Sequence, residues 1–320
     1  MGTAPLPVVA DVDTGIDDAL ALLYLAAHPG IDLRAVSCVA GNIDVDRVVR
    51  NTLDVLATAG ASNVPVARGA QRPLVNRALD AASVHGSNGL GGLDLDRSTA
   101  TPYDGVGIEL LRDAVEASSE PVTLLALGPL TNVALFLRAF PAHASRLDRI
   151  VFMGGSAGIG NASAVAEFNA WHDPEAVAVV VDSGVPVTMY GLDVFYRPTV
   201  APTTITALSG SGSAPARLAG RLLDFAAARN LAETGAVGAT IGDAGAACVL
   251  TRPDLMTKSE HGVLVELGGH SRGQTIVDRR PGRGESEVHG VATQPARVTV
   301  VTDLDGPAVV QTWLDTVDAS

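Results

Sequence analysis

Aromatic side chains are scarce in this chain. Phe, Trp and Tyr together make up 4% of its 320 residues. Any recognition that relies on stacking therefore rests on very few candidates. Cysteine is nearly absent as well. Cys38 and Cys248 each sit in an apolar run, which predicts two buried, reduced thiols rather than a disulfide framework. The segment from Met1 to Pro7 has no basic stretch ahead of an apolar one, so it does not resemble a secretory signal. No apolar run reaches the eighteen or more residues that a membrane-spanning helix needs, and the expected location is the cytoplasm. Positive charge is also in deficit. With 22 Lys and Arg against 35 Asp and Glu, the formal net charge is −13. A polyanion would be repelled on average, so nucleic acid is an unsuitable partner and a small neutral ligand or a cation fits better.

What is present is a long, apolar-rich chain: 47% hydrophobic, with 34 Gly and 18 Pro. That is enough to bury one large core, and no linker-like boundary or internal repeat interrupts it, so residues 1–320 are expected to form a single domain. Strand and helix signals alternate. Leu6 to Asp11, Leu33 to Ala40, Val64 to Ala67, Val122 to Leu127, Ile150 to Met153 and Val187 to Tyr190 read as strands. Between them, Asp17 to His28, Asp44 to Ala59, Gly107 to Ala117, Thr131 to Ala139 and Pro174 to Asp182 read as helices. This rhythm predicts an α/β fold with a Rossmann-like, mainly parallel central sheet flanked by helices. The last third is less regular. Helices are expected over Ala216 to Leu231, Asp243 to Leu250 and Pro307 to Val317, with strands over Val263 to Leu267, Thr275 to Val277 and Arg297 to Val301. Two loops stand out: the glycine-rich Arg72 to Thr101, of the kind that often covers a site, and the polar Arg279 to Pro295.

The most informative segment is Asp11-Val12-Asp13-Thr14-Gly15-Ile16-Asp17-Asp18. Four carboxylates are gathered where a buried strand turns into a helix. Like charges this close repel and raise one another's pKa values. A hard divalent cation bound through oxygen relieves that repulsion most simply. Asp17 or Asp18 alone could be an acidic first helical turn, but that does not explain Asp11 and Asp13, which alternation puts on one side of the strand. Other strand ends carry polar groups too: Ala40-Gly41-Asn42, Leu127-Gly128-Pro129-Leu130-Thr131-Asn132 and Met153-Gly154-Gly155. In an open parallel sheet all of them share one rim, where ligands bind. Further on, Asn161 and the run Glu167-Phe168-Asn169 offer carboxylate and amide groups suited to vicinal hydroxyls. Asp173-Pro174 is more simply a helix start, with Asp at the N-cap and Pro at the first helical position.

These pieces resemble, in order and over nearly the whole chain, the inosine-uridine-preferring nucleoside hydrolases. The resemblance runs from the acidic opening through His85-Gly86 and Glu167-Phe168-Asn169 to Asp243 and Arg272-Gly273-Gln274-Thr275-Ile276-Val277-Asp278. It implies Ca²⁺-dependent hydrolysis of the N-glycosidic bond of ribonucleosides to ribose and free base. It further implies that Asp13, Asp18, Asp243 and the backbone carbonyl of Leu127 hold the ion. Asp13 would take the proton of the attacking water, and Asn42 would stand close to the scissile bond. Asp17, Asn161, Glu167 and Asn169 would hold the ribose, with His85, Met153 and Phe168 also at the substrate and Asp11 supporting the acidic turn. The resemblance implies a homodimer or homotetramer. One departure matters: many relatives carry a His immediately before the last metal-binding Asp, and it protonates the departing base, whereas this chain has Gly242. Possible substitutes are His85 and His172 as acids, or Trp171, Phe195, Tyr196 and Phe168 as stacking partners.

Two other readings of the same residues compete. A haloacid-dehalogenase-like phosphatase would use Asp11 as nucleophile and Asp13 as acid/base. That leaves Asp17-Asp18 unexplained and lacks a suitably placed late Lys. A catalytically weak nucleoside- or ribose-binding relative would keep the metal site without turnover.

Overall fold

The rhythm of strands and helices closes into one nine-stranded sheet that draws on both ends of the chain. The computed structural model describes residues 4–280 and 295–319. The expected polar loop 279–295 therefore lies, apart from its ends, outside the described residues. In chain order the strands of this sheet are β1 (Leu6–Val12), β2 (Ile31–Cys38), β3 (Val66–Arg68), β4 (Val122–Ala126), β5 (Leu147–Met153) and β6 (Val187–Tyr190). A separate two-stranded ribbon pairs β7 (Thr199–Val200) with β8 (Ala239–Thr240), and β9 (Met256–Val265), β10 (Thr275–Asp278) and β11 (Ala296–Leu304) complete the main sheet.

The spatial order is β10-β9-β11-β6-β5-β4-β1-β2-β3. Pairing is parallel from β11 through β3, and antiparallel only where β9 meets β11 and β10. The chain runs outward from β1 through β2 to β3, then crosses to the other side of β1 to lay down β4. The order thus reverses between β1 and β4. Ligands bind at such a switch point, beyond the carboxyl ends of the strands. Here those ends are Asp11-Val12-Asp13 and Leu127.

The central strands are apolar because both their faces are covered. Every residue of β4 is buried, as is all of β1 after Leu6. Val8, Ala10 and Val12 face one layer, formed with helices α1 (Ile16–Ala27), α2 (Val45–Thr58), α11 (Ala214–Thr234), α12 (Gly242–Thr251) and α13 (Gly306–Val317). Val9 faces the other, with α4 (Gly107–Ala117), α5 (Thr131–Ala139) and α8 (Pro174–Val181). Trp313 of α13 is fully buried and donates its indole N–H to the Leu20 carbonyl of α1 at 3.1 Å. Cys38 and Cys248 are buried and free, as their apolar settings suggested. No described helix is long and apolar enough to cross a membrane.

The remaining short helices are α3 (Ala82–His85), α6 (Pro141–Ala144), α7 (Phe168–His172), α9 (Leu192–Phe195) and α10 (Pro202–Ser209). The Asp173-Pro174 start of α8 is realised, with the Asp173 carboxylate accepting from Ala176 N at 3.1 Å.

Candidate active site

The acidic turn is built by its own side chains. Asp18, in the first turn of α1, accepts from the backbone N–H of Gly15 at 3.0 Å and of Asp13 at 3.1 Å. The first contact closes the reciprocal half of a capping box and sets the entry angle of α1. Asp18 also accepts from the Asn42 amide at 3.2 Å, while the Asn42 backbone N–H donates to Asp13 at 2.8 Å. Two strand ends, those of β1 and β2, are thereby stitched together by two carboxylates. Asp13 fits because Gly41 has no side chain. A Cβ there would fall 2.1 Å from the Asp13 carboxylate. Asp11 lies one step back on the same side of β1. Its Oδ1 accepts from the Ser37 hydroxyl opposite it on β2 and from Asn132 Nδ2 at 2.8 Å. Its Oδ2 is buried with no partner, and burial pushes the carboxyl up to about 7.

The second half of the site arrives from β4, β5 and α7. Asn169 Nδ2 donates to the carbonyls of Leu127 at 2.8 Å and Met153 at 3.1 Å, tying the ends of β4 and β5. Glu167 caps α7: its carboxylate accepts from Asn169 N and Gly155 N at 2.9 Å and from Ala170 N at 3.0 Å. Burial pushes Glu167 up, and these N–H groups pull it partly back. Asn161 accepts from Phe168 N at 2.9 Å, and its side chain also interacts with the Tyr196 hydroxyl.

Asp243, at the start of α12, closes the gap between the halves. It is buried, and after burial the largest influences on it are the charges of Asp18, Asp17, Asp13 and Glu167. Asp13 is likewise pushed well up, by burial and by the charge of Asp18. Asp17 is pushed to about 7 by burial and Asp18, against the pull of Arg229. Among the described residues no three His, Cys, Asp or Glu side chains stand in an arrangement that holds a metal ion as placed. The donor chemistry nonetheless fits a hard divalent cation. Asp13, Asp18 and Asp243 are buried carboxylates with no Lys or Arg among the main influences on them.

Of the side chains expected at the site, Asp13, Asp17, Asp18, Asn42, Met153, Glu167, Asn169 and Asp243 are thus linked by hydrogen bonds or mutual charge, together with the Leu127 carbonyl. His85 joins them from α3, accepting from Ile16 N at 3.2 Å through Nδ1. Phe168 is half-buried on α7, next to Trp171 and His172. Asp11 is fully buried and bonded, unlike an exposed phosphorylatable nucleophile. Sequence reasoning missed Ser37 and Arg229. A lone hydroxyl in the apolar run Ala35-Val36-Ser37-Cys38 was a signal for the first. Arg229 lies on the long α11, where no motif marks it, yet its charge acts on Asp17, His85 and Tyr196.

His172 is not hydrogen-bonded to the site. Both ring nitrogens are buried without a partner, and burial holds its pKa down at about 4. The unfolded imidazole titrates near 6.5, so between those values the unfolded chain binds more protons, and stability is lost as pH falls. His172→Leu removes this dependence. Its melting temperature relative to wild type should therefore be higher at pH 5 than at pH 8, by the equivalent of about 2 kcal/mol. Equal differences at the two pH values in thermal melts would refute the buried neutral imidazole.

A parallel sheet whose switch point carries buried carboxylates beside a set of amides and Glu167 has the fold of a nucleoside hydrolase. The chain belongs to the inosine-uridine preferring nucleoside hydrolase family, whose family model matches residues 8–311. It is similar to the pyrimidine-specific ribonucleoside hydrolase RihA of Salmonella schwarzengrund (strain CVM19633), 38% identical over 275 residues that cover 85% of this chain and 88% of that protein. The RihA of Enterobacter sp. (strain 638) is 40% identical over the same shares. Among solved structures, the plant nucleoside hydrolase PpNRh1 superposes with a TM-score of 0.91 at 26% identity, covering 99% of this chain and all of that one. The purine-preferring ribonucleoside hydrolase of Gardnerella vaginalis gives 0.88 at 26% identity, covering 98% of each chain.

Proposed function

We propose that this enzyme hydrolyses the N-glycosidic bond of ribonucleosides to ribose and free base in a Ca²⁺-dependent reaction with Asp13 as general base. The observation that carries the reading is that Asp243 feels the charges of Asp13, Asp17 and Asp18, although some 225 residues separate it from that turn. Asp13, Asp18, Asp243 and the Leu127 carbonyl would hold the ion. When bound, it supplies a positioned water of lowered pKa.

The rest of the chemistry belongs to the side chains. Asp13, held by Asn42 N and cradled by Gly41, takes the proton of the attacking water. Cleavage builds oxocarbenium character at the anomeric carbon, as in glycoside hydrolysis. Asp17, Glu167 and the acidic turn surround that developing positive charge with fixed negative charge. Asp17, Asn161, Glu167 and Asn169 hold the ribose hydroxyls, and Asn42, fixed by Asp18, faces the bond that breaks. His85, Met153 and Phe168 complete the substrate walls. The relatives' names include both pyrimidine-specific and purine-preferring enzymes, so uridine, cytidine, inosine and guanosine form the test panel.

Chelation supplies the test. Treatment with EDTA should abolish turnover across the panel, and Ca²⁺ should restore it. Ca²⁺ at 100 times its dissociation constant should also stabilise the fold by about 2.7 kcal/mol, read as a rise in melting temperature. Full activity after exhaustive chelation, with no Ca²⁺-dependent shift in melting, would remove the metal from the reading.

A further inference from the structure

We infer that Phe195 is the specificity-determining residue on the leaving-group side of this site, and that it selects ribosides whose aglycone departs without taking a proton, the N-ribosylpyridinium class. The inference deepens the proposed ribonucleoside hydrolysis and rests on it.

The geometry at Gly242 is unambiguous. A Cβ on Gly242 would lie 1.9 Å from Cε2 and 2.2 Å from Cζ of Phe195. The phenyl ring thus stands in the space that any side chain at position 242 would fill, directly beside Asp243. Phe195 ends α9 and is half-buried, packed against the edge of the core. It meets the ring of Tyr196 edge-on, with centroids 5.1 Å apart and planes at 82°. Tyr196 in turn interacts with Asn161, one of the ribose-holding side chains, and feels the charges of Asp17 and Glu167. An aromatic corner, Phe195 with Tyr196, therefore joins the last acidic residue to the sugar-binding set.

That corner cannot donate a proton from position 242. The histidines nearby are poor replacements. His85 accepts from Ile16 N through Nδ1, and burial holds its imidazole neutral, down at about 4. His172 keeps both ring nitrogens buried and packs on Phe168, their centroids 5.6 Å apart. What the corner does offer is aromatic rings in a surround that is acidic on balance, the carboxylates of Asp17 and Glu167 set against the single guanidinium of Arg229, and this attracts a cation.

A pyridinium riboside matches that chemistry. The C1′–N bond breaks, and its electron pair stays on the ring nitrogen and cancels the positive charge. The aglycone leaves as a neutral pyridine. The water oxygen bonds to C1′, and its proton passes to Asp13. Uridine breaks the same bond, but the electron pair leaves on the pyrimidine as an anion that needs a proton or a counter-charge.

The experiment compares kcat/KM for nicotinamide riboside with that for uridine and inosine, in wild type and in Phe195→Ala, Gly242→His and the double variant F195A/G242H. Pyridinium ribosides are intrinsically labile, so the decisive quantity is how the ratio changes between variants. Wild type should favour nicotinamide riboside by about 10²-fold or more, the lower range of what a general acid contributes. F195A should raise KM for the cation about fivefold, as expected for loss of a cation–π contact. G242H alone should melt at lower temperature without gaining activity, because its side chain collides with the ring. F195A/G242H has room for the imidazole, and its kcat on uridine should rise about tenfold over that of F195A, narrowing the ratio. A wild-type kcat/KM on uridine or inosine equal to that on nicotinamide riboside, or a ratio unmoved in both F195A and the double variant, would overturn the inference while leaving nucleoside hydrolysis intact. No turnover of any of the three substrates would overturn both.

Discussion

Replacing Asp13 with alanine is expected to lower kcat on a ribonucleoside by about 10³-fold or more while the protein stays folded. Two losses combine: the proposed general base, a kind of group whose removal alone is commonly worth about 10² to 10⁴, and one carboxylate of the set proposed to hold the ion. The fold should tolerate the change for a physical reason. Asp13 is 1% exposed, and both burial and the charge of Asp18 disfavour its ionised form. Its removal leaves the Asn42 N–H without an acceptor, a cost of about 1–3 kcal/mol, but relieves repulsion with Asp18 and Asp243. The backbone contact from Asp13 N to Asp18 does not depend on the side chain and remains. Asp13→Asn, which keeps an acceptor for Asn42, should lose activity as severely and melt closer to wild type. Single-turnover rates and thermal melts on both variants check this. Activity within tenfold of wild type in Asp13→Asn would take Asp13 out of its assigned role.

The sequence revealed most of the sheet because buried parallel strands read as continuous apolar runs. The strand ending at Asp11 and the helix beginning near Asp17 differ from the structure by one residue, and Gly107–Ala117, Thr131–Ala139 and Val187–Tyr190 coincide with it. The misses have identifiable causes. The start of α7 is capped by Glu167, which is not among the residues that usually signal an N-cap, so its five residues were not read as a helix. The strand β9 begins at Met256, seven residues before the expected Val263. Its first half carries the exposed polar run Thr257-Lys258-Ser259-Glu260, and what makes it a strand is hydrogen bonding to β11. Tertiary pairing there overrides a composition that gives no strand signal. The site divides in the same way. Asp11, Asp13, Asp17 and Asp18 are legible because they are adjacent in sequence. Asp243 is an unremarkable acidic residue at a helix start until α12 packs against α1, and only the family resemblance marked it. The ring of Phe195 over Gly242 is a contact between two elements about fifty residues apart, invisible to any local pattern.

A 2′-deoxyribonucleoside is expected to be a worse substrate than its ribonucleoside by about 10³-fold in kcat/KM. Sites that hydrogen-bond a substrate hydroxyl can reject the analogue lacking it by about 10⁴ to 10⁵, because their polar groups are then buried unpaired. The smaller figure follows from how this set is wired. Glu167 is 2% exposed and Asn169 6%, so neither regains water when the hydroxyl is missing. Each is nevertheless partly satisfied by the protein. Glu167 already accepts three backbone N–H groups, and the Asn169 amide already donates to two carbonyls. The unpaired remainder is therefore less than a full set of orphaned groups, while the same internal bonds keep both side chains aimed before substrate arrives. Steady-state kinetics on matched pairs, uridine with deoxyuridine and inosine with deoxyinosine, measure the ratio free of any base preference. The penalty should be nearly the same in both pairs, since it arises at the sugar. Ratios near unity would mean that Glu167 and Asn169 do no more than cap α7 and tie β4 to β5. A penalty confined to one base would move the discrimination to the aromatic corner formed by Phe195 and Tyr196.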